Sequence, residues 1–127
     1  MAHILIIDDD PELLALASLS LQAANYDVSV APDGQQGLKI FREHPADLVI
    51  TDLFMPNREG LETIRDLRQL SPALRIIAIS GEPTADTMLS IAGKLGADAL
   101  LRKPFLTDEL LNTVRKVLAS RAGDAKD

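Results

Sequence analysis

Five short apolar runs, Ile4 to Ile7, Asp27 to Ala31, Leu48 to Thr51, Arg75 to Ser80 and Ala99 to Leu101, start 23, 21, 27 and 24 residues apart. Runs this short suit strands rather than helices, and the segments between them carry a different period. Met88, Ile91, Ala92 and Leu95, and then Leu110, Val114, Val117 and Leu118, follow the spacing that lines one stripe of a helix. Helix starts carry physical signals as well. Asp10-Pro11 offers a capping carboxylate and then proline at the first helical position, Asp33 with Gln36 resembles a capping box, and Thr107 precedes Asp108 and Glu109. Strand and helix therefore alternate five times. That pattern predicts an α/β fold, with right-handed crossovers and a parallel sheet covered on both faces.

Strand order follows from burial. Ile4 to Ile7, Leu48 to Ile50 and Ile76 to Ile79 are continuous apolar runs, as central strands are, whereas Asp27-Val28-Ser29-Val30 alternates and Ala99-Leu100-Leu101 is short, as edges are. The order 2-1-3-4-5 satisfies these constraints. The chain has 127 residues, room for one domain whose apolar core needs no staple. The absence of cysteine excludes disulfides and thiolate chemistry. A net charge of -6 and 3% aromatics disfavour direct nucleic-acid or anionic-membrane binding. The longest apolar run, Leu13 to Ala17, is five residues, far short of the ~20 that span a bilayer. The expectation is a soluble cytoplasmic protein without a signal peptide.

In an open α/β sheet, ligands gather beyond the carboxyl ends of the strands, at the point where successive helices go to opposite faces. Here that point lies between the first and third strands, which end in Asp8-Asp9-Asp10 and Thr51-Asp52. Carboxylates should therefore cluster. Two unit charges ~4 Å apart repel by about 4 kcal/mol at an effective dielectric of ~20, a cost relieved by a proton, a metal ion or an ammonium group. Lys103, after the fifth strand, and Ser80, at the end of the fourth, reach the same sheet edge. An oxygen-rich acidic cleft favours a hard cation such as Mg²⁺.

These residues resemble the receiver domain of two-component response regulators, of the chemotaxis-regulator type with a flavodoxin-like doubly wound (βα)5 fold. The motifs are Ile6 to Asp10, Asp47 to Pro56 with Gly60, Ile77 to Gly81, Gly96-Ala97-Asp98 and Lys103-Pro104-Phe105. Residues 1–121 are assigned to the domain and 122–127 to a polar tail. The resemblance implies that Asp52 accepts a phosphoryl group from the phosphohistidine of a sensor histidine kinase or phosphotransfer protein. Asp8, Asp9, Asp52 and the Phe54 carbonyl would serve Mg²⁺, and Ser80 and Lys103 would contact phosphoryl oxygens. The Lys103–Pro104 bond would be cis. Such a domain is a signalling switch rather than a turnover enzyme, although it assists its own phosphorylation and dephosphorylation. Its fourth helix, fifth strand and fifth helix, here Thr84 to Ala119, would bind a downstream protein or a second copy when phosphorylated.

Two positions depart from the pattern: Leu100 stands where the family usually has Tyr or Phe, and Ser80 where Thr is commoner. Phe54 is bulky and is expected to shield the acyl phosphate from water. Two other readings compete. Asp8-x-Asp10 mimics the motif of haloacid dehalogenase-type phosphatases, and Leu100 suits a receiver-like scaffold that works without phosphorylation. Gly60 and Gly81 read as turn glycines, His3 and His44 as exposed structural residues, and the Met88, Ile91, Leu95 stripe as core first and partner face second.

Overall fold

Residues 1–53, 59–81 and 85–120 are described by the structure, a computed structural model. The chain begins with β1 (His3–Ile7), α1 (Pro11–Ala23), β2 (Asp27–Ala31) and α2 (Gly34–Glu43). It continues through β3 (Leu48–Asp52), α3 (Glu59–Leu70), β4 (Arg75–Ser80) and α4 (Ala85–Lys94), and closes with β5 (Ala99–Arg102) and α5 (Thr107–Ala119). The five strands form one sheet in the order β2-β1-β3-β4-β5, and every pairing is parallel. This is the predicted flavodoxin-like arrangement, with the two weaker apolar runs at the edges. Phe54, Thr84, the side chain of Met88 and the tail 122–127 lie outside the described residues.

Alternate residues of each central strand feed two cores. Leu5, Ile7, Val49, Ile76 and Ala78 face α2, α3 and α4 and pack with Phe41, Ile64, Leu67 and Ala92. Ile4, Ile6, Leu48, Ile50, Ile77 and Ile79 face α1 and α5 and pack with Leu21, Leu110 and Val114. Each fully buried Ile or Leu contributes about 1.5–3 kcal/mol, so the three central strands anchor the molecule. Gly37 of α2 lies directly on Ile7: a Cβ there would come within 2.8 Å of Ile7 Cγ1, so the glycine sets how closely helix and sheet approach. Among the described residues no helix is long and apolar enough to cross a membrane.

The caps at Asp10 and Asp33 form as the sequence indicates, the first accepting from the Glu12 and Leu13 amides and the second from the Gln36 amide at 2.8 Å. Four expectations need correction. Thr107 is the first helical residue of α5 and not its cap; the cap position is Leu106, whose N–H donates to Glu109 Oε1 at 3.0 Å. Gly60 lies within α3 rather than in a turn. Among the described side chains of α4, Ala92 is the fully buried one, with Leu95 packed beside it, while Ile91 remains 38% exposed. Adjacent apolar residues left the helix phase open, and the small alanine is the one that allows close approach to the sheet. His3 is half-buried, with Nε2 2.8 Å from Ser29 Oγ and its ring 5.1 Å from that of His44.

Candidate functional site

At the carboxyl end of the sheet, β1 and β3 lie side by side and the helices that follow them, α1 and α3, depart to opposite faces, so the strand tips open into a shared cleft. Asp8, the first residue past β1, is held by its own N–H donating to Ala31 O at 3.1 Å. Its Oδ1 accepts the Asp10 amide at 2.9 Å, and its side chain is fully buried. Asp52 is the last residue of β3 and is 2% exposed, whereas Asp9 faces solvent. Asp10 is committed elsewhere, because its carboxylate caps α1. That leaves the Asp8-x-Asp10 phosphatase motif without a free second acid.

Lys103 closes the cleft from β5. Its N–H donates to Ser80 O at 2.7 Å, and its Nζ lies 2.9 Å from Asp8 Oδ2 and 3.3 Å from Asp52 Oδ2. The peptide bond to Pro104 is cis. The ends of three strands, β1, β3 and β5, thus bring Asp8, Asp52 and Lys103 together, with Asp9 at the rim. One oxygen from each of Asp8, Asp9 and Asp52 lies within 4.8 Å of the others. Phe54, the remaining expected ligand, falls outside the described residues.

Charge in this cleft is not balanced. Burial pushes the Asp8 carboxyl above its usual range, and the Lys103 ammonium and Asp10 amide offset that only in part. Burial also opposes the Lys103 charge, but Asp8 and Asp52 together outweigh it and raise the ammonium pKa above the ordinary lysine value. Three hard oxygen donors against one ammonium group fit a divalent cation such as Mg²⁺.

Ser80 ends β4, fully buried, and its Oγ has no hydrogen-bond partner among the described residues. A buried hydroxyl left unpartnered costs about 1–3 kcal/mol, so among the described residues Ser80 stands out as a donor available to a ligand. Neither this vacancy nor the Asp10 amide that orients Asp8 is visible from residue type, because both are properties of the surrounding backbone.

Two of the clefts that the described residues form flank the fold. One of about 540 Å³ adjoins the site between α1 and the start of α5, lined by Leu13, Leu16, Ala17, Phe105 and Leu110 with Lys103 at its inner end. The other, about 780 Å³, lies at the opposite end of the sheet around Arg68, Arg75 and Asp98. Its arginines are already engaged, Arg68 with the carbonyls of Pro72, Leu74 and Gly96 and Arg75 with those of Val117 and Ser120. The larger cleft is therefore structural, and the chemistry belongs beside the smaller one.

The response regulator receiver domain family matches residues 4–115. The response regulator ArlR of Staphylococcus saprophyticus is 39% identical over 93% of this chain, and that of Staphylococcus aureus 40% identical over 93%. The chain spans about half (53%) the length of these curated relatives. A receiver domain protein from Clostridium thermocellum superposes with a TM-score of 0.86 at 30% identity, covering 94% of this chain and 95% of that one. The chemotaxis protein CheY4 of Vibrio cholerae superposes with a TM-score of 0.85 at 30% identity, covering 92% and 98%. Five parallel strands in this order, an acidic cleft at the switch point and a family match over nearly the whole fold converge on one conclusion: the chain belongs to the response regulator receiver domain family.

Proposed function

We propose that Asp52 is the phosphoacceptor of a two-component or phosphorelay switch and that a histidine kinase or phosphotransfer protein is its donor. An Asp52 carboxylate oxygen forms a bond to phosphorus while the phosphohistidine P–N bond breaks, and the electron pair leaves with the imidazole nitrogen. A carboxylate is a competent nucleophile toward phosphorus, and catalysis of such a transfer is chiefly positioning and charge neutralisation. Lys103, already 3.3 Å from Asp52 Oδ2, neutralises charge on the transferred oxygens. Ser80 donates its unsatisfied hydroxyl to one of them. Asp8, Asp9 and Asp52, with the Phe54 carbonyl, would hold Mg²⁺, which when bound supplies further neutralisation of phosphoryl charge.

The single observation that carries this reading is the Asp8–Lys103–Asp52 constellation, its two acids buried, beside a Ser80 hydroxyl with no hydrogen-bond partner among the described residues. Phosphorylation adds negative charge and acceptor oxygens at Asp52, drawing in Ser80 and Lys103. That movement biases α4, β5 and α5 toward a partner-binding state, with a coupling of about 1–3 kcal/mol. The domain thus works as a signalling switch in the cytoplasm, assisting its own phosphorylation and dephosphorylation. Its outputs are a downstream protein or a phosphorylation-dependent homodimer. The apolar cleft next to Lys103 offers an approach for a donor helix.

Incubation with acetyl phosphate and Mg²⁺ tests the proposal by intact mass and peptide mapping. One added phosphoryl group on Asp52, absent from Asp52→Asn, is the expected result. A label elsewhere, or none in the wild type under conditions where beryllofluoride also leaves the spectrum unchanged, defeats it and favours a scaffold that works unphosphorylated.

A further inference from the structure

Gly60 stands in α3 and abuts the main chain that carries Asp52. A Cβ at position 60 would lie 2.5 Å from Leu53 Cα and 2.9 Å from Leu53 O, and closer still to Asp52 O. These are backbone atoms, which cannot rotate aside as a side chain does. The opposite edge of the same peptide is fixed as well. Leu53 N–H donates to Ile79 O at 2.8 Å, the Thr51 hydroxyl donates to Asp52 O at 3.2 Å, and the Leu53 side chain is fully buried with Ile64 and Leu67. The Asp52–Leu53 peptide is therefore clamped between β4 and α3, and any larger residue at 60 must push one of them away.

We propose that Gly60 is a positioning residue: its missing side chain lets α3 seat the end of β3 so that the Asp52 carboxylate meets Lys103 and the other two acids. This rests on the reading of Asp52 as phosphoacceptor. The reacting step is unchanged by it: an Asp52 oxygen bonds to phosphorus, the P–O bond of an acyl phosphate breaks, and acetate leaves with the electron pair. What position 60 sets is where that oxygen starts. A displacement on the order of 1 Å costs a positioned reaction roughly 100-fold, so the expected loss in Gly60→Ala is about 10- to 100-fold in maximal phosphorylation rate.

The test compares four proteins with acetyl phosphate as donor: wild type, Asp52→Asn, Gly60→Ala and Gly96→Ala. Gly96 lies at the other end of the sheet with φ +103, so alanine there destabilises the fold without touching the site. Mg²⁺ affinity of the folded protein, followed by NMR, is the readout that destabilisation alone does not move. Gly60→Ala should bind Mg²⁺ several-fold more weakly and react 10- to 100-fold more slowly per folded molecule, whereas Gly96→Ala should match wild type in both. Equal rate and affinity in Gly60→Ala overturn the inference while wild-type phosphorylation keeps the parent reading. Absence of labelling in wild type removes the parent reading and the inference with it. Gly93→Ala, at an exposed helical glycine with nothing within 4 Å, supplies a stabilised background. If Gly60→Ala does not fold even there, the contact governs the whole core rather than the placement of Asp52, and the inference is rejected.

Discussion

Asp8 keeps a carboxylate where burial opposes its charge. Its folded pKa is raised above the ordinary 3.8, so the folded chain binds a proton more readily than the unfolded chain. Stability from this group is therefore present at acidic pH and is lost as pH climbs from the ordinary carboxylate value through the raised one. Asp8→Asn should raise the Tm of the metal-free domain above that window, by roughly 3 to 5 °C per kcal/mol relieved, and flatten its pH dependence. Calorimetry in a chelator at several pH values checks this, and an unchanged slope counts against it. Ser80→Ala removes a hydroxyl whose burial is uncompensated, so the unphosphorylated variant should be as stable as wild type or up to about 1 kcal/mol more so. Its stabilisation by beryllofluoride with Mg²⁺ should shrink by a similar amount in calorimetry, because the bound fluoride then lacks the donor that the Ser80 hydroxyl supplies. Asp8, Asp52 and Ser80 were legible in sequence because each ends an apolar run whose burial is itself readable. That Ser80 lacks a partner and that residue 60 must lack a side chain were not, since both depend on atoms brought in from distant positions.

At the scale of elements, Arg75 ties β4 to the end of α5. It starts β4, the strand that ends in Ser80, and its guanidinium donates to Val117 O at 2.8 Å and Ser120 O at 2.7 Å. These carbonyls belong to the last turn of α5 and the residue after it, which lack intrahelical donors, so the arginine serves as a cap supplied from the sheet. Charge-assisted bonds of this kind contribute about 1.5–3 kcal/mol when buried, and partial exposure reduces that here to about 1. Arg75→Ala should speed amide exchange in the final turn of α5 and lower stability by that amount, while acetyl phosphate labelling of Asp52, at the far end of the sheet, proceeds as in wild type. Protection of the α5 amides unchanged in the variant would show that the helix needs no such cap. The strands were readable to within a residue because continuous apolar runs suit a sheet covered on both faces. The phase of α4 was not: Ile91 and Ala92 are both apolar and adjacent, and only packing against the sheet selects Ala92 as the inward residue. Thr107 likewise carries the better capping side chain, yet the backbone turns into the helix at Leu106, and Glu109 supplies the reach-back bond instead.

For the molecule as a whole, a net charge of -6 means that any cation stabilises it somewhat by screening self-repulsion, so stabilisation alone does not identify a site. The local excess at Asp8, Asp9 and Asp52 makes a different demand, since a bound divalent ion stabilises by RT ln(1 + [L]/Kd), about 2.7 kcal/mol at a hundredfold excess over Kd. Screening grows smoothly with ionic strength and is indifferent to which surface acid is removed, whereas site binding saturates and requires these particular carboxylates. Mg²⁺ should therefore raise Tm by roughly 5 to 15 °C along a saturating curve, well beyond sodium chloride of matched ionic strength. Asp9→Asn is the discriminating variant because Asp9 is exposed and its loss leaves both cores intact. It should keep the sodium chloride response and lose most of the Mg²⁺ response. Equal responses to the two salts in wild type would reduce the acidic cleft to one more part of a negative surface, and the roles assigned to Asp8 and Asp9 would fall with it.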